Sequence, residues 1–156
     1  DEFYQNMCGA RLKPVLRTLE EYKRAGVWVE VTTLVIPGAN DSDTELRDIA
    51  TFILGLGPET PWHVSAFHPT WRLTDRGSTP VATLLRARDI GLAAGLRYVY
   101  TGNIPGQGGE DTLCHGCGAP LIERHGFQIR IANLDPSGAC ARCGETLDGL
   151  ELSSGG

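Results

Sequence analysis

Cys114 and Cys117 stand two residues apart, as do Cys140 and Cys143, and 22 residues separate the two pairs. A CxxC segment folds into a tight turn that points two thiolates at one cation, and two such turns complete a tetrahedral set. Gly118 and Gly144 follow the pairs. Glycine tolerates φ > 0 there, so backbone N–H groups can turn toward the sulfurs. Between the pairs, residues 120–124 and 127–131 read as short strands joined at His125-Gly126, with Phe127, Ile129 and Ile131 alternating with polar residues. Two knuckles joined through a hairpin is a zinc-ribbon layout. The spacing specifies a metal more sharply than it specifies which one. Structural zinc, a rubredoxin-like iron and an iron–sulfur cluster all accept four thiolates. Four thiolates on zinc leave no open position, so the expected role is to hold together a segment of roughly 35 residues that is too small for a core of its own. His115, inside the first knuckle, could compete as a ligand, but four cysteines suffice. The same pattern also supports an iron-thiolate electron-transfer module, or a ribbon that docks a partner through a patch such as Arg124, Arg130 and Arg142.

Ahead of the cysteines the chain alternates helix and strand. Leu12, Val15, Leu16, Leu19 and Tyr22 share one helical face over residues 12–25, which Gly26 ends. Residues 27–36 form a β-branched, nearly continuous apolar run, as a buried parallel strand would, interrupted by Glu30, Thr32 and Thr33. Glu30 and Thr32 fall on one face. Ser42 with Glu45 is a capping box that opens a helix carrying Leu46, Ile49, Ala50 and Ile53. A strand follows at 62–67. Thr79 and Pro80 read as N-cap and first position of a helix running to about Ala94, and 96–101 is a third strand. Residues 102–109 hold four glycines and a proline, a loop or linker.

The order α-β-α-β-α-β implies βαβ units and a parallel sheet with its functional loops at the carboxyl ends of the strands. Those ends are 37–41, 67–72 and 101–107. They offer His68, Asn103, Gln107, Trp71 and Arg72 as candidate contacts. Each also has a plainer role, as a capped loop residue or a surface cover. An unpaired Glu30 in an apolar run would be costly to bury, so it needs a partner. Three parallel strands make an uncomfortable domain, and residues 1–109 read as half of an α/β barrel. The chain starts at Asp1 and its one methionine is Met7, so the expectation is a fragment whose other half precedes Asp1.

Composition sets outer limits. With 41% hydrophobic and 21% charged residues the chain has the balance of a soluble globular protein. No signal peptide or membrane-spanning run is visible, and paired cysteines without a secretory context fit a cytoplasmic location. A net charge of −5 argues against nucleic acid and anionic membrane as partners.

The strings WVEVTTLVIPGANDS, PWHVSAFHPTW and YVYTGNIPG, followed by TLCHGCGAPLIER, resemble the carboxyl-terminal half of the AmmeMemoRadiSam system radical SAM enzymes, relatives of pyruvate formate-lyase activating enzymes. The resemblance runs from Phe3 to about Gly149. It implies a partial α/β barrel, a 4Fe–4S cluster and S-adenosylmethionine, whose reductive cleavage gives a 5′-deoxyadenosyl radical for hydrogen abstraction. It also implies roles. His68 matches a histidine near S-adenosylmethionine at the end of a strand. Thr32, in the strand before Pro37-Gly38, matches a polar side chain offered to the same cofactor, and Glu30 shares its face. Cys114, Cys117, Cys140 and Cys143 match the family's tail cysteines. The CxxxCxxC loop that binds the cluster is absent, and Cys8 alone cannot replace it. The expected arrangement is therefore a half barrel over 1–109, a four-cysteine ribbon over 110–150 and a disordered end at 151–156. The chain by itself would be inactive. Its partners would be the amino-terminal half barrel and an unidentified protein or small-molecule substrate.

Overall fold

A computed structural model describes residues 2–104, 106 and 109–149. The end at 151–156 and Gln107 lie outside the described residues. Helix α1 spans Glu2–Cys8, an element the sequence pattern does not announce, and α2 spans Leu12–Arg24. Strand β1 (Val31–Val35), helix α3 (Asp43–Leu56), strand β2 (Trp62–Ala66), helix α4 (Val81–Ala94) and strand β3 (Val99–Gly102) follow. The three strands are parallel in the order β1-β2-β3. In register, Thr32 is level with His63, and His63 with Tyr100.

The expected first strand, 27–36, is shorter in the structure because pairing starts where β2 starts. Val31 N–H donates to the carbonyl of Pro61, while Val27 N–H is still bound to the carbonyl of Tyr22 at the end of α2. The third strand likewise starts at Val99 rather than 96, because Leu96 N–H closes back on Gly91. The capping box holds: Ser42 Oγ accepts from Glu45 N–H at 3.3 Å and donates to the Glu45 carboxylate at 3.1 Å.

Thr79 departs from expectation. Pro80 is the N-cap of α4, and Thr79 has no capping bond. Its hydroxyl donates to the Val35 carbonyl and accepts from Phe67 N–H at 2.8 Å, so it ties the carboxyl ends of β1 and β2 together.

One face of the sheet packs on the helices. Val35, Trp62, Val64, Ala66 and Val99 bury against Leu46, Ala50 and Ile53 of α3 and Leu84 and Ala87 of α4. The opposite face alternates in the way period-2 side chains must. Glu30, Thr32, His63, Ser65 and Tyr100 lie there, none fully buried. The apolar stripe of α2 is also only half covered, and Leu34 on the outer edge strand is 44% exposed.

The cysteine segment forms a second, antiparallel sheet. Its strands are β4 (Thr112–Leu113), β5 (Pro120–His125) and β6 (Gln128–Ile131), with Gly126 at positive φ in the hairpin. Here the expected alternation is present but does not face a core: Phe127, Ile129 and Ile131 are all exposed. The small core under this sheet consists instead of Tyr98, Cys114, Ala119, Leu121, Cys140 and Leu147. Tyr98 comes from the lead into β3, so the ribbon is packed onto the parallel sheet through it.

Candidate metal centre and the two ends of the sheet

The two knuckles repeat one backbone design. Cys114 N–H donates to the Ala119 carbonyl and Gly118 N–H to the Cys114 carbonyl, each at 2.8 Å. Cys140 N–H donates to the Glu145 carbonyl and Gly144 N–H to the Cys140 carbonyl, again at 2.8 Å. Gly118 and Gly144 sit at φ 71° and 79°, the left-handed conformation that the turn requires and that a side chain resists.

The four Sγ atoms all lie within 4.8 Å of one another. Cys114 and Cys143 approach to 3.5 Å and Cys117 and Cys140 to 3.8 Å. A tetrahedral ion with metal–sulfur bonds of about 2.3 Å sets its sulfurs about 3.8 Å apart. The set therefore fits one zinc or iron ion. A cluster of several irons would need its thiolates further apart. Burial opposes ionisation of Cys140, but backbone N–H groups of Arg142 and Cys143 outweigh it and draw the thiol down to about 7. At Cys143 the Glu145 N–H favours the thiolate, and the neighbouring thiols outweigh that and push it up to about 12. Four thiols this close cannot all ionise unless a cation compensates them.

His115 is not drawn in as a fifth donor. Its Nε2 donates to Glu145 at 3.1 Å, and its Nδ1 lies 3.3 Å from the Tyr98 hydroxyl. That hydroxyl also donates to Asp148 at 3.0 Å and accepts from Asp148 N–H, while Arg97 pairs with the same carboxylate at 2.8 Å.

The other candidates divide between opposite ends of the sheet. His68 is exposed just past β2, with Nδ1 3.3 Å from the Ser78 hydroxyl and Nε2 3.3 Å from the Asn103 carbonyl. Asn103 donates to the Ala66 carbonyl at 3.1 Å. Asn103 and Trp71 are the two non-glycine residues at positive φ among those described. Both lie on loops at the carboxyl ends, where such conformations gather at functional sites. Trp71 is 81% exposed, and Arg72 stacks on it at 4.4 Å. Asn40 and Asp41 shape the turn after β1, accepting from Ile36 N–H and Gly38 N–H. Thr32 is exposed in mid-strand.

Glu30 sits at the amino end. Its carboxylate accepts from His63 Nε2 at 2.8 Å and from Trp28 Nε1 at 3.0 Å. Because Ala66 is level with Val35, His68 and Glu30 are seven residue rises apart, about 23 Å along the strands. The structure thus groups His68 with Asn103, and Glu30 with His63, which supplies the partner that Glu30 needs.

No family model matches the chain. A protein of Methanocaldococcus jannaschii described only as uncharacterized is 48% identical over 149 residues, which is 94% of this chain and 45% of that protein. The chain therefore spans under half the length of this relative. In fold it is similar to the crystal structure of a domain of pyruvate-formate lyase-activating enzyme from Bacteroides vulgatus. That likeness has a TM-score of 0.57 at 16% identity, over 65% of this chain and 60% of the other. The fold is a mixed α/β arrangement with a parallel sheet, similar to that domain, and the chain carries a four-cysteine metal-binding group. No described helix is long and apolar enough to cross a membrane.

Proposed function

We propose that the chain is the carboxyl-terminal part of a radical enzyme of the activating-enzyme type, a half barrel completed by residues outside it. The observation that carries this reading is the two-faced sheet. Helices cover one face, and the other presents Thr32, His63, Ser65 and Tyr100 as the inner wall of a barrel would, with His68 and Asn103 at its carboxyl rim. The half-covered stripe of α2 and the exposed Leu34 at the β1 edge are where a further strand and helix would pack. The fold likeness and the length of the relative agree with it.

In enzymes of this type a 4Fe–4S cluster reductively cleaves S-adenosylmethionine to a 5′-deoxyadenosyl radical. The cysteines here do not fit that cluster, since Cys8 is the only one outside the ribbon set. What the chain would contribute is His68, held by Ser78 and the Asn103 carbonyl at the rim, and Thr32 on the wall, as contacts to S-adenosylmethionine. The ribbon ion would be structural zinc, holding Tyr98 and the floor of the barrel.

The test is anaerobic reconstitution of the complete polypeptide with iron and sulfide, followed by assay for 5′-deoxyadenosine from S-adenosylmethionine under reductant. Its formation, reduced in His68→Ala, is expected. A reconstituted cluster that gives no 5′-deoxyadenosine would sink the reading.

A further inference from the structure

β6 is the outer strand of its sheet, with β5 on one side and no strand on the other among the described residues. It carries the most exposed apolar row of the ribbon. Phe127 is fully exposed, Ile129 is 68% exposed and Ile131 65%. We infer that this row is a docking surface, and that its occupant is the part of the same polypeptide that supplies the strand beside β1. The inference rests on the half-barrel reading above and extends it, because it makes the ribbon a brace between the two halves.

Three observations choose the occupant. The first is direction. Ile131 is opposite Ile122, and Ile129 is opposite Arg124; cross-strand partners share a face. Ile122 and Arg124 line the cavity over the polar face of the parallel sheet, where Arg124 lies 5.6 Å from the Tyr100 ring centre. The row therefore looks to the inner side of the wall, the side that a completed barrel encloses. The second is reach. Tyr100 belongs to β3, but Gly126 in the hairpin turn lines the same cavity as Trp28 and Glu30, which lead into β1. The hairpin thus crosses the amino end of the sheet from β3 to β1, and its turn comes out at the open edge. That edge has exposed apolar side chains of its own, Val27 and Leu34.

The third is size. The three side chains offer on the order of 400 Å², about half of the roughly 800 Å² that each partner in a stable complex contributes. A second copy seated on this row alone would be held weakly. A segment that already pairs with β1 is tethered, so a small contact suffices to seat it. The Methanocaldococcus jannaschii relative supplies the precedent in length, since the match spans 45% of it and more than half of that protein lies outside.

The experiment uses the complete polypeptide, loaded with metal. The photoreactive substitution Phe127→p-benzoylphenylalanine is irradiated and the products are mapped by peptide mass spectrometry. An intramolecular crosslink to the strand that neighbours β1 is expected. Crosslinked dimers, or crosslinks confined to residues 110–149, would overturn the docking. Ile129→Asp and Ile131→Asp should each lower the melting temperature of the complete polypeptide by about 2–4 °C or more. Gln128→Asp, exposed on the opposite face of β6, should leave it unchanged. Equal melting of all four proteins would also overturn the surface, and the crosslink remains readable if an aspartate variant fails to fold. None of these readouts involves catalysis. A crosslink without 5′-deoxyadenosine formation would sink the radical chemistry and leave the docking, and 5′-deoxyadenosine formation without the crosslink would do the reverse.

Discussion

The hydroxyl of Tyr98 lies 3.3 Å from Nδ1 of His115, which joins the residue leading into β3 to the inside of the first metal knuckle. Tyr98 is buried, and burial raises the pKa of its phenol, so the hydroxyl remains a neutral donor at every working pH. It holds Asp148 from both sides, through the side chain and the backbone N–H. Tyr98→Phe keeps the ring in the ribbon core and removes all three contacts. A lost bond to a charged group and a stranded Asp148 N–H are each worth about 1–3 kcal/mol. The expected loss of stability is in that range, measured by denaturant unfolding of the metal-loaded protein. Chelator competition should show weaker metal retention, because His115 loses its fixed neighbour.

Metal removal should act on one core and spare the other. Two of the thiolates, Cys114 and Cys140, are themselves members of the ribbon core, whereas the sheet–helix core around Trp62, Leu46 and Leu84 contains none. Chelation, or Cys117→Ser, is expected to abolish hydrogen-exchange protection in β4–β6 and leave amides of β2 and α4 protected. Metal analysis should give one ion per chain. A colourless preparation means zinc, and visible absorption means thiolate iron.

Gly91 sets two effects against each other. It lies mid-helix in α4, where alanine would gain about 1 kcal/mol in helix propensity. A Cβ there would stand 2.9 Å from Trp62 and Val99 side-chain atoms, and both residues are buried in the core. Overpacking of this kind costs about 1–3 kcal/mol, so the clash wins. Gly91→Ala should lower the melting temperature despite the better helix former.

Glu59 gives a pH signature away from the metal. The Lys23 ammonium at 2.7 Å holds its carboxyl below the ordinary value, with burial working the other way. A depressed folded pKa contributes stability above the unfolded value, near 4.5, and that contribution vanishes as pH falls through the folded value. Glu59→Gln should therefore cost up to about 1 kcal/mol at pH 7. The difference from the parent should shrink toward zero in acid, as read from denaturation midpoints between about pH 3 and 7.

These residues also mark how far the sequence could be read. The knuckles were legible because ligand type, spacing and the following glycine are all local. The alternation of helices and strands was legible from periodicity, but the start of β1 was not. Residues 27–30 are as apolar as 31–35, and only the position of Pro61 decides where pairing begins. Glu30 and His63 are 33 residues apart, and their meeting depends on a register that one sequence does not reveal. The row Phe127, Ile129, Ile131 had the right period, but period does not say whether a layer covers the face.

Thr79 supplies the last prediction, because two accounts of it differ in outcome. As an N-cap it would be improved or unharmed by aspartate and would matter by about 1 kcal/mol. As the bridge observed here, it serves two buried backbone groups on different strands, the Val35 carbonyl and Phe67 N–H. Thr79→Val preserves shape and strands both, for an expected loss of about 2–4 kcal/mol from two unsatisfied groups. Thr79→Ser keeps the hydroxyl and should recover most of that. Thr79→Asp should fail, since a carboxylate cannot donate to a carbonyl and would be buried beside one. Urea unfolding of the three variants decides the matter, and stability in Thr79→Asp equal to the parent would favour the cap.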